Sequence, residues 1–188
     1  QMETALRNPE GITPELLGEG KVYQTGLKRP GHVLSYDNMW AEKPGWYVAE
    51  RQADGSWSAP VLVKNDMCCA MSHDGKTWYY QIETVPGNND IVFVTRKSDG
   101  SWGEPGSVGE AVNSPEEEDN PHITRDGQAL YWTSKRPGGF GGGDLWFSMR
   151  QPDGKWGLAQ NMGPNVNTKD GEDQIWVSVD GKRAYFNR

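Results

Sequence analysis

Acidic side chains recur at one kind of place in this chain of 188 residues. Asp66, Glu118 and Glu172 each lie eight residues before an Asp-Gly pair, at Asp74, Asp126 and Asp180. Their neighbours differ: Glu116, Glu117, Asp119 and His122 accompany Glu118, while Met67, Cys68, Cys69 and Met71 accompany Asp66. Asp173 and Trp176 accompany Glu172. Clustered carboxylates could bind a hard cation such as calcium, which takes oxygen ligands. Paired carboxylates could instead do acid–base work on a glycosidic bond. The plainer reading, and the favoured one, is a solvated acidic loop that recurs because its surroundings recur.

Other candidates are weaker. The soft donors of MCCAM (67–71), with His73 close by, could hold copper. Cys68 and Cys69 could alternatively close a vicinal disulfide, but two small thiols packing an inner strand is the plainer account. His32, His73 and His122 are the only histidines and show no HxxxH or HxH spacing, so nothing supports a zinc site or a Ser-His-Asp triad. GGFGGGD (138–144) is no phosphate loop, because no Lys-Ser/Thr follows it.

The elements that must position these residues are set by two interleaved Asp-Gly series. RQADGSW, RKSDGSW and RQPDGKW begin at Arg51, Arg96 and Arg150. The second series reads SHDGKTWYY (72–80), TRDGQALYW (124–132) and SVDGKRAYF (178–186), with GEGKVYQTG (18–26) as a degenerate member. Asp-Gly is the strongest short hairpin signal and predicts type I′ turns here. Strand-like runs (WYVAER, DIVFVTR, DLWFSMR) precede each RxxDGxW copy, and Trp57, Trp102 and Trp156 are expected to open an outer strand after it. The unit is thus strand, turn, strand, long loop, strand, turn, strand. A repeat of about 40–50 residues suits a four-stranded propeller blade. No segment has sustained helical periodicity, which makes the fold all-β. A residue repeated in every blade, such as Arg51, Arg96 and Arg150, is expected to do structural work.

Bulk composition agrees. Gly 24 and Pro 12 punctuate the chain, nine Trp and seven Tyr supply apolar area, and hydrophobic residues make up only 35%. There is no run long and apolar enough for a membrane span. The net charge of -7 argues against nucleic acid, whose binding rests on neutralising phosphates.

TRDGQALYWTSKRPGGFGGGDLWFSMRQPDGKWGLAQNMGPNVNTKDGED (124–173) resembles a blade of the TolB-type, WD-repeat-like β-propellers. The region 64–112 keeps both Asp-Gly turns but lacks Arg-Pro-Gly, and 1–63 keeps KRPG (28–31) but has Gly45 where later copies have Asp90 and Asp144. The resemblance implies a propeller, and it permits both binding domains and degradative lyases.

The resulting expectation is a β-propeller of antiparallel four-stranded blades at about 8–63, 64–112 and 113–166, with part of a fourth at 167–188. Its function is expected to be non-catalytic binding of a glycan, peptide or protein at the channel mouth, without a cofactor. The alternative is a polysaccharide lyase or glycoside hydrolase using exposed aromatics such as Trp40 and Trp176. Ligand contacts are expected from Glu118, Asp119, His122, Glu172, Asp173, Trp176 and Arg136, with Cys68 and Cys69 nearby. A secreted or periplasmic location is expected; a chain beginning at Gln1 is consistent with cleavage after export and equally with a fragment. Three and a half blades fall below the usual ring of four or more, so the missing strands are expected from a longer chain or from self-association.

Overall fold

The computed structural model describes residues 21–24, 33–38, 45–50, 52–54, 56, 58, 59, 61–64, 69–178 and 180–188. The chain divides into two compact units, 1–67 and 68–188. Every regular element among the described residues is a β-strand.

In the first unit, β1 (Lys21–Gln24), β2 (Val33–Asn38), β3 (Gly45–Glu50) and β4 (Val61–Lys64) form one antiparallel sheet in sequence order. The long β2–β3 register runs from Val33 opposite Glu50 to Asn38 opposite Gly45. Arg29, His32, Trp40, Arg51, Trp57, Asp66, Met67 and Cys68 lie outside the described residues.

The second unit repeats the same up-and-down sheet. Its first blade is β5 (Cys69–Met71), β6 (Thr77–Val85), β7 (Asn88–Thr95) and β8 (Gly106–Ser107). The next is β9 (Glu118–Ile123), β10 (Ala129–Ser134), β11 (Asp144–Met149) and β12 (Gln160–Asn161). A two-stranded sheet follows, β13 (Asp173–Val177) paired with β14 (Ala184–Asn187). Four-stranded antiparallel meanders of this kind are propeller blades, as expected.

The Asp-Gly turns differ from the type I′ expectation. Among the described residues only Asn120 and Gln174 are non-glycine residues at positive φ, so the turn aspartates are not left-handed. Instead, the Gly100 and Gly154 amides close tight turns onto Lys97 O and Gln151 O, and these glycines take φ 85° and 84°. That is a type I turn followed by a left-handed glycine, the usual three-residue hairpin. The aspartate acts through its side chain: Asp74, Asp126 and Asp180 each accept the backbone N–H two residues on, and a hydroxyl from Ser72, Thr124 or Ser178.

The outer strands also depart from expectation. Trp102 and Trp156 form only isolated bridges back to Arg96 and Arg150, and β8 and β12 have two residues each. Pro105 offers no N–H to continue the ladder. What completes the ladder is a side chain. The Ile91 amide donates to Asn113 Oδ1 and Asn113 Nδ2 donates to Ile91 O, at 3.0 and 2.9 Å. Asn167 grips both backbone groups of Leu145 in the same way, at 2.9 and 3.0 Å. Each carboxamide stands in for one residue of a fourth strand.

Within the second unit, the described core lies between its two four-stranded blades. Tyr79 and Ile91 on one face of β6–β7 join Leu130, Trp132, Trp146 and Trp156 in a single buried cluster. Strand alternation assigns the faces, since residues two apart on a strand share a side. Leu130, Trp132 and Ile91 are wholly enclosed. Arg150 ties the blades at their rim: Nη2 donates to the Tyr79 hydroxyl at 2.8 Å, and the guanidinium lies 4.4 Å from the Trp156 ring centroid. The repeated arginine is structural here, as its repetition suggested.

Candidate functional site: the inner-strand rim

The innermost strand β9 lies beside β5 and β13, and the expected site residues sit on or around β9 and β13. Glu118 and Glu172, expected in a solvated loop, are both buried. The Glu118 carboxylate accepts the Ser114 amide at 2.8 Å and the Ser114 hydroxyl at 2.6 Å. Glu172 does the same with Thr168, at 2.9 and 2.6 Å. Each folds the loop ahead of its strand into a closed turn, as an N-cap holds a helix start. A buried carboxylate requires such partners, because leaving it unpaired is costly.

Arg136 supplies the counter-charge to Glu118 at 2.7 Å. It also donates to Val112 O and Ser134 Oγ, and lies 5.3 and 5.2 Å from the Trp132 and Trp146 ring centroids. Arg188 makes the corresponding contacts to Glu172 and Val166 O. Arg136, expected at the ligand, makes these contacts within its own blade. Its guanidinium is held in the blade by ion pairing, hydrogen bonds and two indole faces.

His122 is also enclosed. Nε2 accepts the Val177 amide at 3.2 Å, linking β9 to the next inner strand. Burial pushes its pKa down to about 4, so the neutral form that can accept this bond is the stable one. Its ring centroid is 6.4 Å from that of Tyr131 and 6.4 Å from that of Trp176.

Asp119, Asp173 and Trp176 are only partly buried. Asn89 Nδ2 donates to Asp119 Oδ1 at 2.8 Å. Asn120 Nδ2 and Thr133 Oγ1 donate to Asp173 Oδ1 at 2.6 and 2.8 Å. The Asn120 amide donates to Gln81 Oε1 at 3.1 Å. Burial, reinforced by the Glu117 and Asp173 carboxylates, raises the Asp119 carboxyl above the usual range despite the Asn89 bond. Asn120 and Gln174 occupy equivalent positions and share left-handed backbones, φ 54° and 51°. Irregular register in the β9–β10 and β13–β14 pairings accompanies both.

Sequence reasoning missed Asn89, Asn120, Gln81 and Thr133, because amides and hydroxyls scattered over four strands leave no local pattern. It also missed the clamps Asn113 and Asn167, although Val-Asn-Ser (112–114) and Val-Asn-Thr (166–168) carry that signal. Of the MCCAM stretch, Ala70 and Met71 are buried core. Among the described residues no three His, Cys, Asp or Glu side chains come together as a metal cage would need. GGFGGGD is a docking loop: Gly142 N–H donates to Asp170 O and Glu172 N–H to Gly143 O, while Asp144 accepts the Phe140 and Gly141 amides.

No family model and no curated protein matches the chain. Solved structures do. TolB from Acinetobacter baumannii superposes with TM-score 0.50 at 17% identity, over 82% of this chain and 34% of that one. A TolB-type protein of Agrobacterium tumefaciens gives 0.50 at 19%, over 82% and 49%. The fold is TolB-like. The chain thus spans between a third and a half of those proteins' length. Among the described residues no helix is long and apolar enough to cross a membrane.

Proposed function

We propose that the chain is a non-catalytic propeller module that binds a glycan, peptide or protein at the rim formed by Asp119, Asn120, Asp173 and Trp176, in an extracytoplasmic setting. The observation that carries this reading is the division of labour among the polar groups. Glu118, Glu172, Arg136 and His122 are enclosed and engaged with the scaffold. Asp119 and Asp173 remain partly open, braced by amide and hydroxyl donors on one side. Braced carboxylates recognise hydroxyls and N–H groups, and fixed side chains lose little entropy on binding.

The test is a glycan array together with a displayed peptide library, comparing the natural chain with an Asp119→Asn/Asp173→Asn double variant. A ligand whose affinity falls at least roughly tenfold in a variant of unchanged stability supports the rim. Binding that is indifferent to both substitutions removes it.

One observation favours catalysis as a second reading. The raised Asp119 carboxyl beside Asp173 has the character of a general acid. Digestion of a polysaccharide panel, with reducing ends and unsaturated products measured, separates the two: turnover abolished by Asp119→Asn would establish an enzyme.

A further inference from the structure

The Asp-Gly pairs that build the turns are also the linkages of this chain most open to rearrangement. Glycine leaves its amide nitrogen unhindered, so that nitrogen can attack the carboxyl of the aspartate before it. A bond forms between the glycine N and the aspartate Cγ. The amide proton and the carboxyl hydroxyl leave as water, and a cyclic succinimide results. Water then adds back at either carbonyl. Opening at Cγ restores aspartate, whereas opening at the main-chain carbonyl leaves the backbone running through Cβ and Cγ, as isoaspartate.

Whether a pair can react depends on whether its carboxyl and its amide are free to meet. Of the seven pairs in the sequence, six lie wholly within the described residues. Five of the six close hairpin turns and are held at both groups. Asp74, Asp99, Asp126, Asp153 and Asp180 each accept the backbone N–H two residues on, at 2.9–3.1 Å. The amides of Gly75, Gly100, Gly127, Gly154 and Gly181 donate backward to a turn carbonyl, at 2.8–3.0 Å. A carboxylate committed to the second amide, and a first amide committed to a carbonyl behind it, leave ring closure nothing to use.

Asp170–Gly171 is built differently. Its carboxylate meets the Lys169 ammonium at 3.0 Å, in a pair whose lysine and aspartate side chains are 87% and 65% exposed. A contact so exposed is weak. The Gly171 amide has no acceptor among the described residues. The hydrogen bonds of this loop fall on either side of the linkage and spare it. Gly142 N–H donates to Asp170 O at 3.0 Å, and Glu172 N–H donates to Gly143 O at 2.7 Å.

We propose that Asp170–Gly171 is a modification site, where the folded protein forms isoaspartate spontaneously while its turn pairs are spared. The Asp170 carbonyl that receives the Gly142 N–H becomes part of a free carboxylate, and the backbone toward Glu172 gains a methylene. The two bonds that flank the linkage cannot then both keep their present spacing. The clasp between 138–143 and 168–172 therefore carries a covalent weak point, one that lengthens the chain immediately ahead of the buried Glu172.

The test is to age the full chain at neutral pH in water enriched in heavy oxygen, once folded and once in urea. Proteolysis and mass spectrometry with electron-transfer fragmentation then locate isoaspartate and the incorporated oxygen. In the folded chain Asp170 should convert at least about tenfold faster than any of the five turn pairs, where ring closure must first break two hydrogen bonds. In urea that preference should vanish. Asp170→Glu, whose longer side chain disfavours the ring, should remove the product. Hydrogen exchange at the Gly142 and Glu172 amides should accelerate in the aged natural chain and not in aged Asp170→Glu. A turn pair that reacts as fast as Asp170 in the folded chain would overturn the proposal. So would an unlabelled Asp170 after a time in which urea labels every pair. Unchanged exchange at Gly142 and Glu172 in the converted fraction would overturn its structural consequence. None of these readouts involves a rim ligand.

Discussion

Enclosure gives His122 a pKa near 4 against an ordinary 6.5, and the sign of the resulting pH dependence follows directly. The folded state binds its proton less readily than the unfolded chain does. The contribution of His122 to stability is therefore complete above pH 6.5 and is lost as pH falls toward 4. A tenfold difference in proton affinity is worth about 1.4 kcal/mol, so the full effect is roughly 3 kcal/mol. Urea denaturation between pH 4 and 7 should show a stability slope that flattens in His122→Gln, where the amide oxygen can still accept the Val177 N–H. Glu118 offers a second residue-scale test. Its ion-pair partner Arg136 is 10% exposed, whereas Arg188 beside Glu172 is 48% exposed. Glu118→Gln should cost about 3–5 kcal/mol, the range for breaking a buried pair, and Glu172→Gln distinctly less. Equal losses would mean that the Ser114 and Thr168 turns, and not the arginines, dominate.

Among elements, the RxxDGxW hairpins are equivalent in sequence but unequal in packing. Trp156 is 9% exposed and lies among Tyr79, Arg150 and the inter-blade cluster. Trp102 is partly exposed and meets Trp78 edge-on at 5.6 Å. Trp156→Ala should cost roughly 3–5 kcal/mol and Trp102→Ala less, measured by chemical denaturation. Strand order and the four-stranded unit were legible because alternation and Asp-Gly chemistry act locally. The outer strands were not, because their ladders are completed by Asn113 and Asn167, each 22 positions from the residue it grips. The carboxylates were misread for a related reason. A glutamate ahead of a strand reads alike whether it faces solvent or folds back, and only the Ser114 or Thr168 four residues earlier marks the second case.

At the scale of the unit 68–188, blades are joined by backbone as well as by core. The loop 138–143 abuts 168–171 so closely that a Cβ at Gly141 would fall on the carbonyl oxygens of Thr168 and Asp170. Gly141→Ala must displace backbone and not merely a side chain. It should destabilise by about 1–3 kcal/mol. Hydrogen exchange in β13 and β14 should accelerate before that in β6 or β10. Uniform acceleration would show instead that the unit opens as one piece.

The asparagine clamps also fix where this architecture can be cut. Asn113 belongs by sequence to the stretch leading into β9, yet it grips β7 of the blade before; Asn167 stands likewise to β11. The stretch that contains its own clamp is therefore out of phase with the visible sheet. A segment exchanged from Ser114 through Asn167 carries its own latch, whereas one cut at the sheet boundary leaves a strand edge without its fastener. Recombination, natural or designed, would tolerate the first junction and penalise the second.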